Sequence, residues 1–244
     1  MPKESLEELQ YASYWDRRYR AEQSKPTSTS TTDTPDNGIT KDDSTTETQE
    51  ENIIPAFEWF RDFAKLKPFL EKYLPREKKT EKRLMHLGCG NSTLTSDLHT
   101  LGYTNQISVD FSAVVIAAMS QKYAALNTTW LEMDIRDMAL IESGSIDVAI
   151  DKGTLDAMLH GSLWDPPDDV RESVGRYVDE VVRVLKPGAR WLYITYRQPH
   201  FIRPLVTREG KWEAKVEVLE DPDGAGGFEY FGWVCTKNGR GGEE

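Results

Sequence analysis

Cysteine is the scarcest chemically versatile residue in this 244-residue chain, with only Cys89 and Cys235. Two cysteines so far apart cannot staple a disulfide framework or close a zinc site, so a reducing compartment is expected. Long apolar runs are missing as well: the longest, residues 113–119, is far too short to span a bilayer. The first residues, Met1-Pro-Lys-Glu-Ser-Leu-Glu-Glu-Leu9, have no apolar signal core, and their early glutamates argue against an acid-poor transit peptide. Positive charge is in deficit, with 30 Lys and Arg against 41 Asp and Glu for a net charge of -11. Eight acidic and two basic residues fall within 21–52, contributing -6 and leaving -5 for the remainder. Such a chain offers little of the basic surface that nucleic-acid binding needs. These absences lead us to expect a cytoplasmic protein with neither a nucleic-acid nor a membrane partner; a monomer is the expected state, though nothing in composition fixes it.

The aromatic residues are grouped. Leu6, Leu9, Tyr11, Tyr14, Trp15 and Tyr19 recur among charges over residues 5–20, the spacing of an amphipathic helix with an aromatic face. The pattern then stops: 13 of the 32 residues in 21–52 are Ser or Thr, and Ile39 is the only large apolar side chain there. That segment is expected to be a disordered acidic insertion inside one domain spanning 1–244, since it has too little apolar surface to offset the entropy of ordering. A helical pattern resumes through Phe63, Leu66, Phe69, Leu70 and Tyr73. Strand signals follow at 83–87, 106–110, 128–132, 145–150 and 189–196, separated by helical patterns near 92–101, 112–123, 153–160 and 170–185. Alternation of this kind predicts an α/β fold, a mostly parallel Rossmann-like sheet with helices on both faces. Gly102 and the run Lys186-Pro187-Gly188 read as helix stops, the latter placed before the 189–196 strand. Residues 211–220 and 229–235 alternate like strands around Asp221-Pro-Asp-Gly-Ala-Gly-Gly227, so the sheet is expected to finish in an antiparallel hairpin, followed by a flexible tail at 239–244.

The chemistry is concentrated where the first predicted strand ends. Leu87-Gly88-Cys89-Gly90-Asn91-Ser92 removes two Cβ atoms at a loop that opens onto a helix, which lets the backbone approach a ligand. Asp110 ends the second strand 20 residues after Gly90, where a carboxylate can accept hydrogen bonds from a ribose diol. The third glycine of a dinucleotide fingerprint is replaced by Thr93, which turns the reading away from a dinucleotide. A second acidic loop, Met133-Asp134-Ile135-Arg136-Asp137, follows the third strand, where a carboxylate and a backbone N–H could read an adenine edge; loop capping is the plainer role for Asp134. Ribose and adenine readers in this order fit S-adenosylmethionine.

Seven segments carry a more specific likeness: Tyr14-Trp-Asp-Arg-Arg-Tyr19, Phe57-Glu-Trp-Phe60, the glycine loop, Val109-Asp-Phe-Ser112, Met133-Asp-Ile-Arg136, Asp151-Lys-Gly-Thr-Leu-Asp156 and Arg183-Val-Leu-Lys-Pro-Gly188. In them the chain resembles the seven-strand methyltransferases, and within these the lysine methyltransferases of translation elongation factor 1-alpha. That branch also holds a citrate synthase lysine methyltransferase, disfavoured here because the N-terminus does not look mitochondrial. The resemblance implies a protein-lysine N-methyltransferase whose cofactor, S-adenosyl-L-methionine, is lined by Trp15, Tyr19, Trp59, Gly88, Gly90, Asp110, Phe111, Asp134, Ile135 and Lys152, and whose protein substrate is elongation factor 1-alpha. The alternatives are a small-molecule methyltransferase of the same fold and a non-catalytic cofactor-binding scaffold.

Aromatic faces suit a sulfonium cation, so Trp15, Tyr19 and Trp59 could each contribute about 0.5–2 kcal/mol of cation–π attraction, or could simply pack the N-terminal helix onto the domain. Lys152 is read as following a strand that ends at Ile150, free to pair either with the methionine carboxylate or with a neighbouring acid. Asp151 and Asp156 receive no catalytic role. Asp168 and Asp169 are expected to cap a helix, and His86, His160 and Cys89 to be structural. His200 is placed at the substrate side of the sheet's carboxyl edge, with no role assigned. No metal site is expected.

Overall fold

The computed structural model describes residues 6–24, 54–220 and 229–239. The expectations for most of 21–52, for the 221–227 turn and for the tail beyond Gly239 lie outside the described residues. A short 3-10 helix, Leu6–Gln10, leads into α1 (Ala12–Gln23). The expected single helix over 5–20 is therefore broken at Tyr11, whose extended backbone precedes α1, and α1 runs three residues into the predicted insertion. Then come α2 (Phe63–Tyr73), β1 (Leu84–Leu87), α3 (Leu94–Thr100), β2 (Gln106–Asp110), α4 (Ala113–Lys122), β3 (Thr128–Glu132), β4 (Ile146–Lys152), α5 (Thr154–Ala157), α6 (Asp168–Val184), β5 (Leu185–Thr195), α7 (Pro199–Val206), β6 (Trp212–Leu219) and β7 (Tyr230–Lys237).

One seven-stranded sheet takes the order β3-β2-β1-β4-β5-β7-β6. The first five strands are mutually parallel, and β7 pairs antiparallel with both β5 and β6. This is the expected fold class, hairpin included. The boundaries moved in two places. Lys186-Pro187-Gly188 lies inside β5 rather than before it, at a register shift where Ile146 faces Leu185 but Val148 already faces Arg190. Gly188, at φ 77°, takes the positive-φ backbone of that irregularity, which a branched side chain would resist. Lys152 is the last residue of β4, not a residue beyond it.

Strand alternation decides which side chains face which layer. On β1, β4 and β5 the residues Leu84, Val148, Ile150, Leu192 and Ile194 bury against Leu66, Phe69 and Leu70 of α2 and Leu94 and Leu98 of α3. Met85, Leu87, Ala149, Trp191 and Tyr193 point the other way, into a cluster with α6 and α7. Helix α6 supplies Val170, Val174, Tyr177, Val178, Val181 and Val184 to that cluster, a stripe along one helix face. Asp62 caps α2 by accepting the Lys65 N–H at 3.0 Å, and Ser112 caps α4 by accepting from Val115. A third cluster packs Tyr14, Trp15, Tyr19 and Ile54 against Val115, Ala118 and Met119 of α4. The N-terminal helix is thereby seated beside the carboxyl edge of β2. Among the described residues, no helix is long and apolar enough to cross a membrane.

Candidate active site

The loop after β1 is shaped by close contact. Gly88 and Gly90 have φ of 63° and 49°, and a Cβ on Gly88 would sit 2.2 Å from Thr154 Oγ1. Thr154 Oγ1 donates to the Leu87 carbonyl at 2.9 Å, locking α5 to the loop from behind. The Gly90 N–H donates to one oxygen of Asp110 at 3.0 Å, and the Ser112 N–H donates to the other at 2.9 Å. Burial of Asp110 raises its carboxyl to about 6, with these N–H donors acting in the opposite sense. Cys89 is buried, and burial holds its thiol well above the ordinary range; the thiol is unsuited to nucleophilic chemistry.

Beyond β3, the Met133 N–H bonds the Asp110 carbonyl at 2.9 Å, bringing the acidic loop beside the β2 end. Asp134 is held by Arg136, whose backbone N–H donates at 2.8 Å and whose guanidinium reaches both carboxyl oxygens. Burial alone would raise this carboxyl, but the Arg136 hydrogen bonds hold it below its ordinary value. The charged form is thus kept ready at the rim.

The opposite wall comes from the N-terminus. Trp15, Tyr19 and Trp59 have ring centroids 5.6–5.9 Å apart in the Trp15–Tyr19 and Trp15–Trp59 pairs. The Arg18 guanidinium lies over Trp15, Phe57 and Trp59 at 5.3–5.5 Å, so these rings already have a protein cation. Lys152 forms an ion pair with Glu58 at 2.9 Å and donates to the Trp59 carbonyl at 2.9 Å. Glu58 also accepts from the Ser92 hydroxyl and the Thr93 N–H, tying the Phe57–Phe60 segment to the glycine loop. Burial lowers Lys152 against the upward pull of Glu58.

All ten residues predicted for the cofactor site, Trp15, Tyr19, Trp59, Gly88, Gly90, Asp110, Phe111, Asp134, Ile135 and Lys152, line one cleft of about 820 Å³ of empty space, mouth included. That is the size range of sites for small molecules and cofactors. Thr154 and Arg136, which also line it, and Glu58 and Arg18, which brace its wall, lay inside the quoted segments but were given no site role in the sequence reading. Glu58 carried a usable signal, an acid inside the quoted aromatic run Phe57–Phe60.

Other expectations changed. Asp168 and Asp169 do not cap α6, because Pro167 occupies the N-cap; they lie in the first turn, where carboxylates favour the helix dipole. Asp169 sits 3.0 Å from the His160 ring, which follows α5 in a loop and also meets Gln10 at 3.2 Å. Buried His86 bonds Thr95, and burial lowers its ring to about 3, so it stays neutral. Asp151 and Asp156 are buried anchors: Asp151 accepts the Tyr177 hydroxyl at 2.7 Å, and Asp156 accepts those of Tyr193 and Thr195 at 2.6 and 2.7 Å. His200 is the second residue of α7, in the segment that follows β5, and packs 5.5 Å from the exposed Trp164 ring.

Cleft, strand order and glycine loop together belong to a known class. The model of a methyltransferase domain family matches residues 78–225, and the chain belongs to that family. Its curated relatives narrow the kinship. EEF1A lysine methyltransferase 4 of Mus musculus is 37% identical over 185 residues, covering 74% of this chain and 69% of that protein. The human eEF1A lysine and N-terminal methyltransferase is 37% identical over 170 residues, covering 67% of this chain but 23% of the much longer relative. Among solved structures, a protein of Pyrococcus horikoshii superposes with a TM-score of 0.55 at 16% identity, covering 72% of this chain and 89% of that one, a likeness of fold.

Proposed function

We propose that this protein is an S-adenosylmethionine-dependent protein-lysine N-methyltransferase acting, as a cytoplasmic monomer, on translation elongation factor 1-alpha. The observation that carries the reading is the Gly90–Asp110 lock: a backbone N–H and a strand-end carboxylate joined at 3.0 Å, at the floor of a cleft walled by aromatic rings. The names of the curated relatives support the lysine and the elongation factor.

The residues present fit the cofactor. With two N–H donors already on Asp110, lone pairs remain for a ribose diol. The absence of Cβ atoms at Gly88 and Gly90 lets the backbone approach the ligand. Asp134 and the Ile135 N–H are assigned to the adenine edge, Phe111 to packing against the nucleoside, and Trp15, Tyr19 and Trp59 to the sulfonium end. Lys152, at the end of β4, is assigned to the methionine carboxylate, for which it would exchange or share its Glu58 partner.

When bound, S-adenosylmethionine would supply an electrophilic methyl group on a sulfonium sulfur, for transfer to an amine lone pair with loss of the C–S bond. The protein must therefore align a neutral amine in line with that bond and keep water away. Neutralising a lysine of ordinary pKa at pH 7 costs about 4.6 kcal/mol, so the site has to lower that cost.

The test is incubation of the protein with labelled S-adenosylmethionine and a methyl-acceptor-depleted lysate, followed by mass spectrometry. Label on a lysine of elongation factor 1-alpha is expected; label found only in metabolites sinks the protein-lysine reading. In calorimetry, Asp110→Ala should weaken cofactor binding by about 10- to 100-fold, since it removes hydrogen bonds to a charged acceptor. Unchanged affinity would refute the ribose assignment.

A further inference from the structure

A second space adjoins the cleft, about 620 Å³ with its mouth included. Its walls are Tyr14 and Arg18 of α1, Phe60, Asp156 of α5, and Tyr196 and Arg197 just past β5. It shares Leu9, Trp59, Gly153 and Ala157 with the cofactor cleft, so the two spaces meet at the carboxyl end of β4.

We infer that this chamber takes the side chain of the acceptor, a primary amine on a flexible aliphatic stem, with Phe60 and Tyr196 gripping the stem and Arg18 and Arg197 keeping the amine neutral. The inference rests on the methyltransferase reading above and adds where the acceptor enters and what receives it.

Strand order gives the first argument. The cleft runs across the sheet edge from the Asp134 loop after β3, past Asp110 on β2 and the glycine loop on β1, to Lys152 and Gly153 at β4. With the adenine reader at the β3 end, the reacting end of the cofactor falls at β1 and β4. The next strand along is β5, and the second chamber opens between the ends of β4 and β5. An acceptor approaching from there meets the methyl group without crossing the nucleoside.

Backbone strain gives the second. Phe60 has φ of 69°, an unusual conformation for a bulky aromatic residue. A γ-turn closed by the Arg61 N–H on the Trp59 carbonyl at 2.9 Å goes with that φ, and it sets the ring where a Cβ on Gly153 would come within 2.8 Å of it and where it packs edge-on to Tyr196 at 5.2 Å. Such strain gathers at binding and catalytic sites because the fold must hold a side chain where it would not otherwise go. Here it holds an aromatic face beside the shared wall. Long amine side chains bury their methylenes along apolar surface of this kind.

Charge gives the third. The groups facing the chamber are the guanidinium of Arg18, paired with Glu22 at 3.2 Å, the guanidinium of Arg197, the Asp156 carboxylate, and the hydroxyls of Tyr14 and Tyr196, with the Lys152–Glu58 pair beside Trp59. Asp156 is already bonded by the Tyr193 and Thr195 hydroxyls and lies 3.6 Å from Arg197, so it is poorly placed to anchor an ammonium. Each guanidinium has a carboxylate partner, Glu22 for Arg18 and Asp156 for Arg197, so no surplus negative charge is left to hold an ammonium, and partial desolvation favours the neutral, nucleophilic form. The amine's proton leaves to solvent through the open mouth, the lone pair forms the N–C bond, and the C–S electron pair remains on sulfur.

The test uses full-length Phe60→Gly and Tyr196→Ala with purified elongation factor 1-alpha. Glycine accepts the positive φ at position 60, and Tyr196 is 40% exposed, so neither substitution threatens the fold. Calorimetry should find cofactor affinity within about twofold of wild type, while KM for the protein acceptor rises about tenfold or more, as for loss of an aromatic anchor. An unchanged KM in both variants overturns the chamber. For the charge argument, Arg18→Gln should move the pH profile of kcat/KM to higher pH by about half a unit or more, and Arg18→Lys should restore it; a profile unmoved by Arg18→Gln overturns the electrostatic role. If wild-type protein methylates only small amines, the protein-substrate reading fails, and the same two aromatic variants then test the chamber through the KM of n-butylamine.

Discussion

Two buried carboxylates, Asp110 and Asp151, share a chemistry and serve different ends. Asp110, buried at the floor of the cleft, also has two backbone donors, and burial prevails, lifting it to about 6. A ribose diol donates to the ionised form. Cofactor affinity should therefore be full near pH 8 and fall below pH 6 by up to about tenfold per unit, as expected when binding requires loss of one proton; calorimetry from pH 5 to 8 reads this directly, and a flat profile removes Asp110 from the site. The effect on stability has the opposite sense. A carboxyl whose folded pKa exceeds the unfolded value of about 3.9 stabilises the fold as pH drops from 6 toward 4, and loses that contribution as pH rises through 6. Asp151, raised by burial to about 7, accepts the Tyr177 hydroxyl at 2.7 Å and the N–H groups of Thr154 and Leu155. Removing the hydroxyl takes a donor from a carboxylate at pH 8 and from a neutral acid at pH 5.5. Tyr177→Phe should thus cost about 1.5–3 kcal/mol at pH 8 and roughly half of that at pH 5.5. Equal losses in urea unfolding at both pH values would mean that Asp151 does not titrate in this window.

At the scale of elements, the parts legible in the sequence were those where one period dominates. Strands β1, β2, β4 and β5 and the helices between them stood out because both faces of the sheet are covered there, giving short largely apolar runs closed by glycine or a polar loop, while the edge strand β3 showed in its alternation. The N-terminal helix misled because its aromatic spacing continues across Tyr11, although the chain breaks there and the Trp15 indole N–H turns back to the Leu9 carbonyl at 2.7 Å. Periodicity does not report such a break, since the spacing of apolar residues is the same on either side of the extended Tyr11. At the site, Asp110 was found because topology places strand ends on one edge, and Lys152 through the resemblance carried by the Asp151–Asp156 run. Glu58, Arg18 and Thr154 were not, because each works through a partner distant in sequence: Lys152, Trp59 and Leu87 respectively. The Gly88–Thr154 contact offers a direct check on how α5 is fixed to the glycine loop. Gly88→Ala should lose more than about 2 kcal/mol, through overpacking and the positive φ together. Adding Thr154→Gly relieves the clash, so a double-mutant cycle in denaturant should show coupling of about 1 kcal/mol or more. Strict additivity would show that the two residues do not meet.

Across the whole molecule, the sheet gathers its chemistry on one edge while the charge is distributed differently. Of the net -11, the segment 21–52 contributes -6, and that segment enters between α1, which walls the cleft with Trp15 and Tyr19, and Phe57–Phe60, which supplies Trp59. Both flanks of the acidic segment are therefore anchored at the active-site mouth. A lysine-bearing protein surface with a surplus of positive charge would be drawn toward that edge, raising encounter rates without adding contacts in the bound complex. Attraction of this kind is screened over a Debye length of about 10 Å at 0.1 M salt. The value of kcat/KM for the protein acceptor should thus fall about tenfold between 20 and 300 mM salt, with kcat nearly constant. Replacing Asp33, Asp36, Asp42, Asp43, Glu47, Glu50 and Glu51 by their amides leaves the Glu22 contacts with Arg18 and Asn91 intact. That variant should lose more than half of the salt dependence while its cofactor affinity is preserved. Stopped-flow association with elongation factor 1-alpha at a series of salt concentrations makes the measurement, and identical slopes for the two proteins would place the steering charge on the folded body instead.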